Sequence, residues 1–143
     1  MKIKPEDGNK TFCMAPWSHT YLSPQSERRL CCASREKANW ATQYIDDEDA
    51  DKESTYNPGT LKDHWNSEYM KNIRKDLMEG KEISQCTVCN DKLLNISVYR
   101  DYFNKSLFPN KIDEAFDKTR EDGHTDMLPI SFDYRVRNLF NFK

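Results

Sequence analysis

Apolar residues recur at two spacings along this chain, and they predict strands near both ends with helices between them. Residues 18–23 (SHTYLS) have the β-branched and aromatic content of a short strand. The polar residues 24–27 suit a turn, and residues 28–32 (RRLCC) would return beside the first strand as a β-hairpin. Residues 129–142 alternate apolar and polar positions and predict a further strand. Its apolar positions are Ile130, Phe132, Tyr134 and Val136.

In the middle of the chain the apolar residues lie three to four positions apart, which predicts helices. A first helix is expected over residues 60–65, and Ser67 is placed to cap the start of a second one. That second helix, over residues 68–79, carries an apolar stripe along one face, and Gly80 suits the position just past its end. The stripe consists of Tyr69, Met70, Ile73 and Leu77.

Two more helices are predicted further along the chain. Leu94, Val98 and Tyr102 continue at helical spacing from the CTVC motif at residues 86–89, so we expect that motif to lead directly into a helix. The positive end of its dipole would then face the thiolates. Residues 110–121 predict another helix. Its inward positions are Ile112, Ala115 and Phe116.

Composition excludes several classes of function. The 143 residues suit one domain, and because only 36% are hydrophobic, the core is thin and a bound metal would add folding energy. A net charge of −2 favours neither nucleic acid nor an anionic membrane as a partner. The chain begins with polar residues instead of a secretory segment, and it has no apolar run near the roughly 20 residues of a membrane span. Five cysteines in such a chain predict a reducing, cytoplasmic location, where thiols serve metals more often than disulfides.

The cysteines fall into two distant groups that together predict one metal centre. Cys86 and Cys89 form a CxxC pair, whose spacing lets two thiolates bind the same metal. Such a pair fills half of a four-coordinate site, and the predicted hairpin brings Cys31 back towards Cys13 to supply the other half. Four thiolates can hold either a tetrahedral zinc ion or an iron–sulfur cluster, and the spacing does not separate the two.

Alternatives remain within this set of residues. Neighbouring residues on a strand face opposite sides, so only one of Cys31 and Cys32 should reach the metal. His19 lies six residues from Cys13 and is the strongest histidine candidate, although no histidine has a second one at metal-binding spacing. The alternative for the whole set is that the cysteines are reduced and packed as small hydrophobic residues.

These motifs in combination resemble the auxiliary-cluster (SPASM/twitch) module of radical SAM enzymes. The resemblance runs from Phe12 to Asn104 through FCMAPWSHTYLS, RRLCC, a helix with Trp65, MKNIRKDLMEGK and CTVC. It implies a 4Fe–4S cluster, with Cys32 as the spare member of the Cys-Cys doublet. The ligands that the resemblance implies are Cys13, Cys31, Cys86 and Cys89.

The C-terminal residues ISFDYRVRNLFNFK resemble the strand that introduces the catalytic CxxxCxxC loop in the same enzymes. Phe140 stands at the place of the first cysteine of that loop, and the other two have no counterpart. The resemblance therefore implies that the chain alone does not cleave S-adenosylmethionine. Electron transfer or substrate placement would then need a partner, either a chain with the radical SAM barrel or a peptide or protein substrate.

The resulting prediction is a small α+β domain, in which a β-hairpin and three to four helices surround a four-cysteine metal centre. Residues 1–11 would be a loose polar lead-in, residues 12–107 the auxiliary-cluster domain, and residues 108–143 a helix and the first strand of a barrel. Two alternatives remain for the function: a zinc-stapled interaction module without a redox role, and an inactive truncated remnant.

Overall fold

The computed structural model describes residues 2–22, 28–35, 61–91 and 98–135, and these residues form a small α+β fold. The strands are β1 (His19–Leu22), β2 (Arg28–Arg29) and β3 (Ser131–Tyr134). The α-helices are α1 (Ala15–Ser18), α2 (Leu61–Trp65), α3 (Glu68–Met78), α4 (Thr87–Asn90), α5 (Val98–Asp101) and α6 (Ile112–Asp117). A π-helical segment, Tyr102–Leu107, continues α5, and 3₁₀ turns lie at Pro5–Asp7, Ser84–Cys86 and Pro109–Lys111. No helix in these ranges is long and apolar enough to cross a membrane.

Strand β1 is the centre of a three-stranded sheet with the order β2-β1-β3. β2 runs antiparallel to β1 with Tyr21 opposite Arg29, which confirms the predicted hairpin pairing, while its turn at 23–27 lies outside the described residues. β3 runs parallel to β1, from Ser131 beside His19 onwards. β2 ends at Arg29, so the two cysteines that follow it belong to a turn instead of a strand.

The alternating apolar residues of β3 and of the stretch just before it are exposed to solvent. Leu128, Ile130, Phe132 and Tyr134 are 71%, 56%, 53% and 45% exposed. The alternating Ser131 is instead the residue that reaches the interior, where its hydroxyl lies 2.8 Å from Nδ1 of His19. The predicted strand over 129–142 is therefore present only as Ser131–Tyr134 among the described residues, with its apolar face uncovered.

Helix α3 has the ends and the buried face that its sequence predicts. The hydroxyl of Ser67 accepts a hydrogen bond from the backbone N–H of Met70, which caps the N-terminus. At the C-terminus the N–H groups of Gly80 and Lys81 donate to the carbonyls of Leu77 and Asp76, and Gly80 has the positive φ that this Schellman arrangement requires. The stripe of α3 enters the core, which also takes residues from the N-terminal corner and α6. Its fully buried members include Phe12, Met14, Trp17, Met70, Leu77 and Met78.

Arg74 on α3 is completely buried and bonds to three other parts of the chain. Its guanidinium donates to the carbonyl of Pro16 at 2.9 Å and to that of Trp65 at 2.6 Å. It also donates to Oδ1 of Asn66 at 2.9 Å and to the carbonyl of Gly123 at 3.4 Å. The group lies 4.7 Å from the centroid of the Trp65 ring, a cation–π contact. Burial lowers the pKa of Arg74 to about 9, so the side chain remains charged at neutral pH.

The N-terminal residues, expected as a loose lead-in, are ordered around Asn9. The amide of this buried residue donates to the carbonyls of Ile3 and Leu77, at 2.8 and 2.7 Å, and its oxygen accepts from the N–H of Phe12 at 3.0 Å. Lys2 donates to the carbonyl of Phe116. One asparagine thus attaches the first residues to α3, because its amide satisfies carbonyls that the helix end leaves free. The division of the chain into three units stays a prediction.

Two predicted helices are shorter in the structure. The helix after the CxxC pair ends at Asn90, and Asp91 has an extended backbone. The motif does lead into a helix, but this helix does not continue at the predicted spacing through Val98 and Tyr102, and Leu94 lies outside the described residues. With only four residues, α4 also lacks the length for a substantial dipole at the thiols.

The predicted helix over 110–121 ends at Asp117 because the chain turns back on itself there. Thr119 pairs with Thr125 in an isolated β-bridge, and its hydroxyl accepts a hydrogen bond from the indole of Trp17 at 2.8 Å. Gly123 in this turn has a φ of 97°, and a Cβ there would lie 1.9 Å from the carbonyl oxygen of Lys71. The inward positions Ala115 and Phe116 are buried as expected.

Replacing Arg74 with methionine should destabilise the fold by about 3–5 kcal/mol, because several buried acceptors would lose a charged donor together. Chemical denaturation would measure this loss. The matched control is Lys75→Met, on the exposed side of the same helix, which should change stability by less than about 0.5 kcal/mol. Equal stability of the two variants would contradict the central role of Arg74.

His64 should make stability fall below neutral pH. Burial, followed by the nearby Arg28 and Arg74 charges, lowers the pKa of His64 to about 3, so the folded state keeps it neutral. The unfolded chain takes up the proton below about pH 6.5, and the stability contribution is therefore complete above that pH and is lost as the pH falls towards 3.

Between pH 7 and pH 5 we expect His64 to account for about 1–2 kcal/mol of lost stability. His64→Gln should remove that share of the pH dependence in denaturation curves recorded at both pH values. The parent chain, measured at the same two pH values, is the reference. An unaltered slope in His64→Gln would show that this histidine takes up its proton equally in the folded and the unfolded state.

Candidate functional site

Cys13 lies in a buried corner immediately before α1. The backbone N–H of Ala15, the first residue of that helix, lies 3.5 Å from its sulfur and donates to it. The side-chain amide of Asn104 fixes the corner on both sides of the cysteine. Its Nδ2 donates to the carbonyl of Phe12 and its Oδ1 accepts from the N–H of Met14, both at 2.8 Å. The position of Cys13 is therefore set by a residue 91 positions further along the chain.

Cys31 and Cys32 lie in the turn after β2, and they differ in exposure. Ser34 closes the turn, since its backbone N–H and its hydroxyl both donate to the carbonyl of Cys31. Cys31 is partly buried and packs against the core, whereas Cys32 is exposed. The prediction that the two cysteines differ in access to the interior is thus consistent with the structure, although a turn instead of strand alternation produces the difference.

The CxxC pair spans a 3₁₀ turn and the short helix α4. Cys86 ends the 3₁₀ turn, and its N–H donates to the carbonyl of Ile83 at 3.1 Å. Cys89 lies within α4, three residues later. The N–H of Arg35 donates to the carbonyl of Gln85 at 2.9 Å, and this bond connects the Cys31 turn directly to the CxxC segment.

One cavity brings these separate segments together. Cys13, Cys31, Cys86 and Cys89 all line it, whereas Cys32 and His19 are not among its lining residues. Most of the remaining wall is apolar. The apolar lining residues include Ala15, Pro16, Leu30, Leu77 and Val88. Four thiols from three segments, separated by up to 76 positions, therefore face the same apolar space.

The cavity is enclosed on one side and open on the other. The empty space in the cavity, including the part that is open to solvent, is about 400 Å³. Within the described residues, no group of three or more metal-ligating side chains is gathered closely enough to hold a single metal ion.

Burial dominates the electrostatics of the two inner thiols. It raises the pKa of Cys13 well above the ordinary thiol value, and the Ala15 N–H and the Arg100 guanidinium oppose that shift to a smaller extent. Burial likewise raises the pKa of Cys31 to about 12. Both groups are neutral thiols at pH 7 in the metal-free chain. Binding of a metal would therefore release protons, because the thiolate is the ligand.

Arg100 and Asn104 support the site, and the sequence pattern did not identify them. Arg100 is buried and lines the cavity, and its guanidinium donates to the carbonyl of Cys89 at 3.4 Å and to Oδ1 of Asn90 at 2.6 Å. Asn104, four positions later, fixes the Cys13 corner. The two residues are four positions apart in the stretch YRDYFN, so they lie on the same face of a helix. This spacing was the signal in the sequence that could have indicated a shared role.

The histidines lie elsewhere in the fold. His19 is buried on β1, with its ring 4.9 Å from the Phe103 ring and its Nδ1 near the Ser131 hydroxyl. Burial lowers the pKa of His19, which favours the neutral ring. His64 is buried at α2, and His124 lies in the turn beside Asp126. The structure gives none of the three a place among the residues that line the cysteine cavity.

Comparison with known proteins identifies no relative. No protein-family model matches the chain, and neither a curated protein nor a solved structure shows significant similarity to it. A functional assignment consequently depends on the geometry and chemistry of the cysteine cavity.

Proposed function

We propose that this chain is an iron–sulfur domain in which Cys13, Cys31, Cys86 and Cys89 hold a 4Fe–4S cluster, as in the auxiliary module of radical SAM enzymes. One observation carries the proposal. Four of the five cysteines line a single cavity although they come from three separate segments, and the fifth is exposed. Cysteines that pack only as small hydrophobic residues have no need to converge in this way.

The donor set and its surroundings suit such a cluster. Iron–sulfur clusters are held by cysteine thiolates, commonly four for each cluster. The apolar wall would limit the access of water, and the backbone N–H of Ala15 already donates to the sulfur of Cys13. Hydrogen bonds to sulfur and limited solvent exposure are among the properties that set the reduction potential of these clusters.

A single zinc ion bound by the same cysteines is the alternative. Tetrahedral zinc with Zn–S bonds of about 2.3 Å requires sulfurs about 3.8 Å apart. In a 4Fe–4S cluster each thiolate binds a different iron, so the sulfurs lie further apart. The four cysteines that line the cavity suit either group, and the resemblance of the motifs to an auxiliary-cluster module is what favours the cluster.

The proposed role is electron transfer or substrate placement together with a partner. A bound cluster would supply one-electron redox chemistry, while the cysteine segments hold it and the apolar wall excludes water. β3 is an edge strand of the described sheet. Its exposed residues Phe132 and Tyr134 continue an exposed apolar row that begins with Leu128 and Ile130, just before the strand. Exposed apolar rows of this kind mark contact surfaces. We place the partner, a barrel-bearing chain or a peptide or protein substrate, against this row.

Protein prepared without oxygen should be brown and contain about four iron and four sulfide per chain. Cys31→Ser should lose most of the iron, because it removes a cavity thiol. Cys32→Ser is the matched control, one residue away and exposed, and should keep the iron and the visible absorption. A colourless wild-type protein with one zinc per chain would establish the zinc alternative.

The chain alone should not convert S-adenosylmethionine to 5′-deoxyadenosine. A radical SAM centre needs three cysteine ligands and one open iron, and only Cys32 remains once four of the five cysteines are assigned. Incubation of the reconstituted protein with the cofactor and dithionite, followed by chromatography, tests this expectation. Turnover by the chain alone would contradict the assignment, whereas turnover only with a barrel-bearing chain would support the proposed partner.

A further inference from the structure

Arg100 is the only arginine or lysine among the residues described as lining the cysteine cavity. It is 7% exposed, so its charge is largely removed from solvent. The guanidinium donates to the carbonyl of Cys89 and to Oδ1 of Asn90, and both acceptors belong to the end of the CxxC segment. A buried cation therefore lies beside the cavity and is attached to the backbone of one of its four cysteines.

We propose that Arg100 is a positioning residue of the cysteine site, which fixes the CxxC segment and supplies the positive charge that balances the bound cluster. This inference rests on the proposed 4Fe–4S function. It assigns to Arg100 two effects that can be measured separately, one on the geometry of the CxxC segment and one on the reduction potential.

The geometric effect follows from the way in which the CxxC segment is attached to the rest of the described fold. α4 has one turn, and it cannot fix Cys89 by itself because isolated single turns are unstable. The contacts from Arg100 attach this turn to α5, and the Arg35–Gln85 backbone bond attaches the preceding residues to the Cys31 turn. Residues that orient metal ligands in this way commonly change metal affinity 10–100-fold when replaced.

The electrostatic effect follows from the sign of the charges. Four thiolates give the loaded site a net negative charge, and reduction by one electron from an external donor such as dithionite adds another, with no bond formed or broken. A nearby guanidinium stabilises the reduced form more than the oxidised form, because the attraction grows with the negative charge. Low dielectric around a buried group strengthens this effect.

The test compares three variants of the full-length chain in anaerobic redox titrations. Arg100→Gln removes the charge, Arg100→Lys keeps it, and Lys105→Gln removes a positive charge from the exposed side of the same segment. We expect Arg100→Gln to lower the reduced-to-oxidised ratio at a fixed potential about tenfold, which corresponds to about 59 mV for one electron. Arg100→Lys should restore most of this shift, and Lys105→Gln should change the ratio less than about threefold.

A second measurement uses the metal-free protein. Arg100→Gln should increase the rate at which iodoacetamide alkylates Cys86 and Cys89, because the CxxC segment loses its anchor, while Lys105→Gln leaves the rate unchanged. An unshifted potential in iron-loaded Arg100→Gln, or equal shifts in Arg100→Gln and Lys105→Gln, would overturn the charge-balancing role. An unchanged alkylation rate would overturn the positioning role.

The outcomes also separate this inference from the proposed function. Wild-type protein that binds no iron would refute the iron–sulfur function, and the charge-balancing role with it, while the alkylation rates would still decide the positioning role. If the wild-type protein binds iron but Arg100→Gln behaves like the wild type in both measurements, the inference is refuted and the proposed function is not. Arg100→Gln could also fail to bind iron. In that case, iron binding by Arg100→Lys would support the need for a positive charge, and the absence of iron from both variants would overturn the charge-balancing role.

Discussion

The buried guanidinium of Arg74 is the interaction on which the described fold depends. It bonds to α1, to the end of α2 and to the turn at Gly123, and so one side chain connects three separate parts of the chain to α3. A buried charge is costly unless its donors are satisfied, so the surrounding carbonyls must keep their positions for the protein to remain folded. One of these carbonyls belongs to Pro16, three residues after Cys13. The cysteine corner is therefore held by the same residue that organises the core.

Features determined by neighbouring residues could be predicted from the sequence, and α3 shows why. Its period, its Ser67 cap and its Gly80 ending are local, and each is encoded within a few residues. The sequence also predicted that Cys13 and Cys31 lie near the CxxC pair, and all four cysteines line one cavity, while the metal that they were predicted to bind stays a proposal. The roles of Arg74, Arg100 and Asn104 were not, because their acceptors lie 8 to 92 residues away or are backbone carbonyls that any sequence possesses.

β3 illustrates a different limit of sequence patterns. Alternation of apolar and polar residues predicts a strand, and the usual assumption places the apolar side inwards. Here Ser131 faces inwards to meet His19, and the apolar side faces outwards, because parallel pairing with β1 sets the register. The register of a strand, and the side of it that faces solvent, depend on distant segments of the chain. The alternating pattern therefore predicts the strand but not which side faces the interior. An uncovered apolar side is an expected property of a strand that contacts a partner.

The two halves of the cysteine site are held by different kinds of contact. Cys13 lies between the Asn9 and Asn104 amides and close to Pro16, whose carbonyl accepts from the buried Arg74. The CxxC half is held by the backbone bond from Arg35 to Gln85, by the contacts from Arg100 and by the packing of Cys86 against the core. Because α4 is a single turn, contacts from other segments, and not the helix itself, determine where Cys89 lies. If the four cysteines bind a metal, its binding energy would add to the contacts that hold both halves.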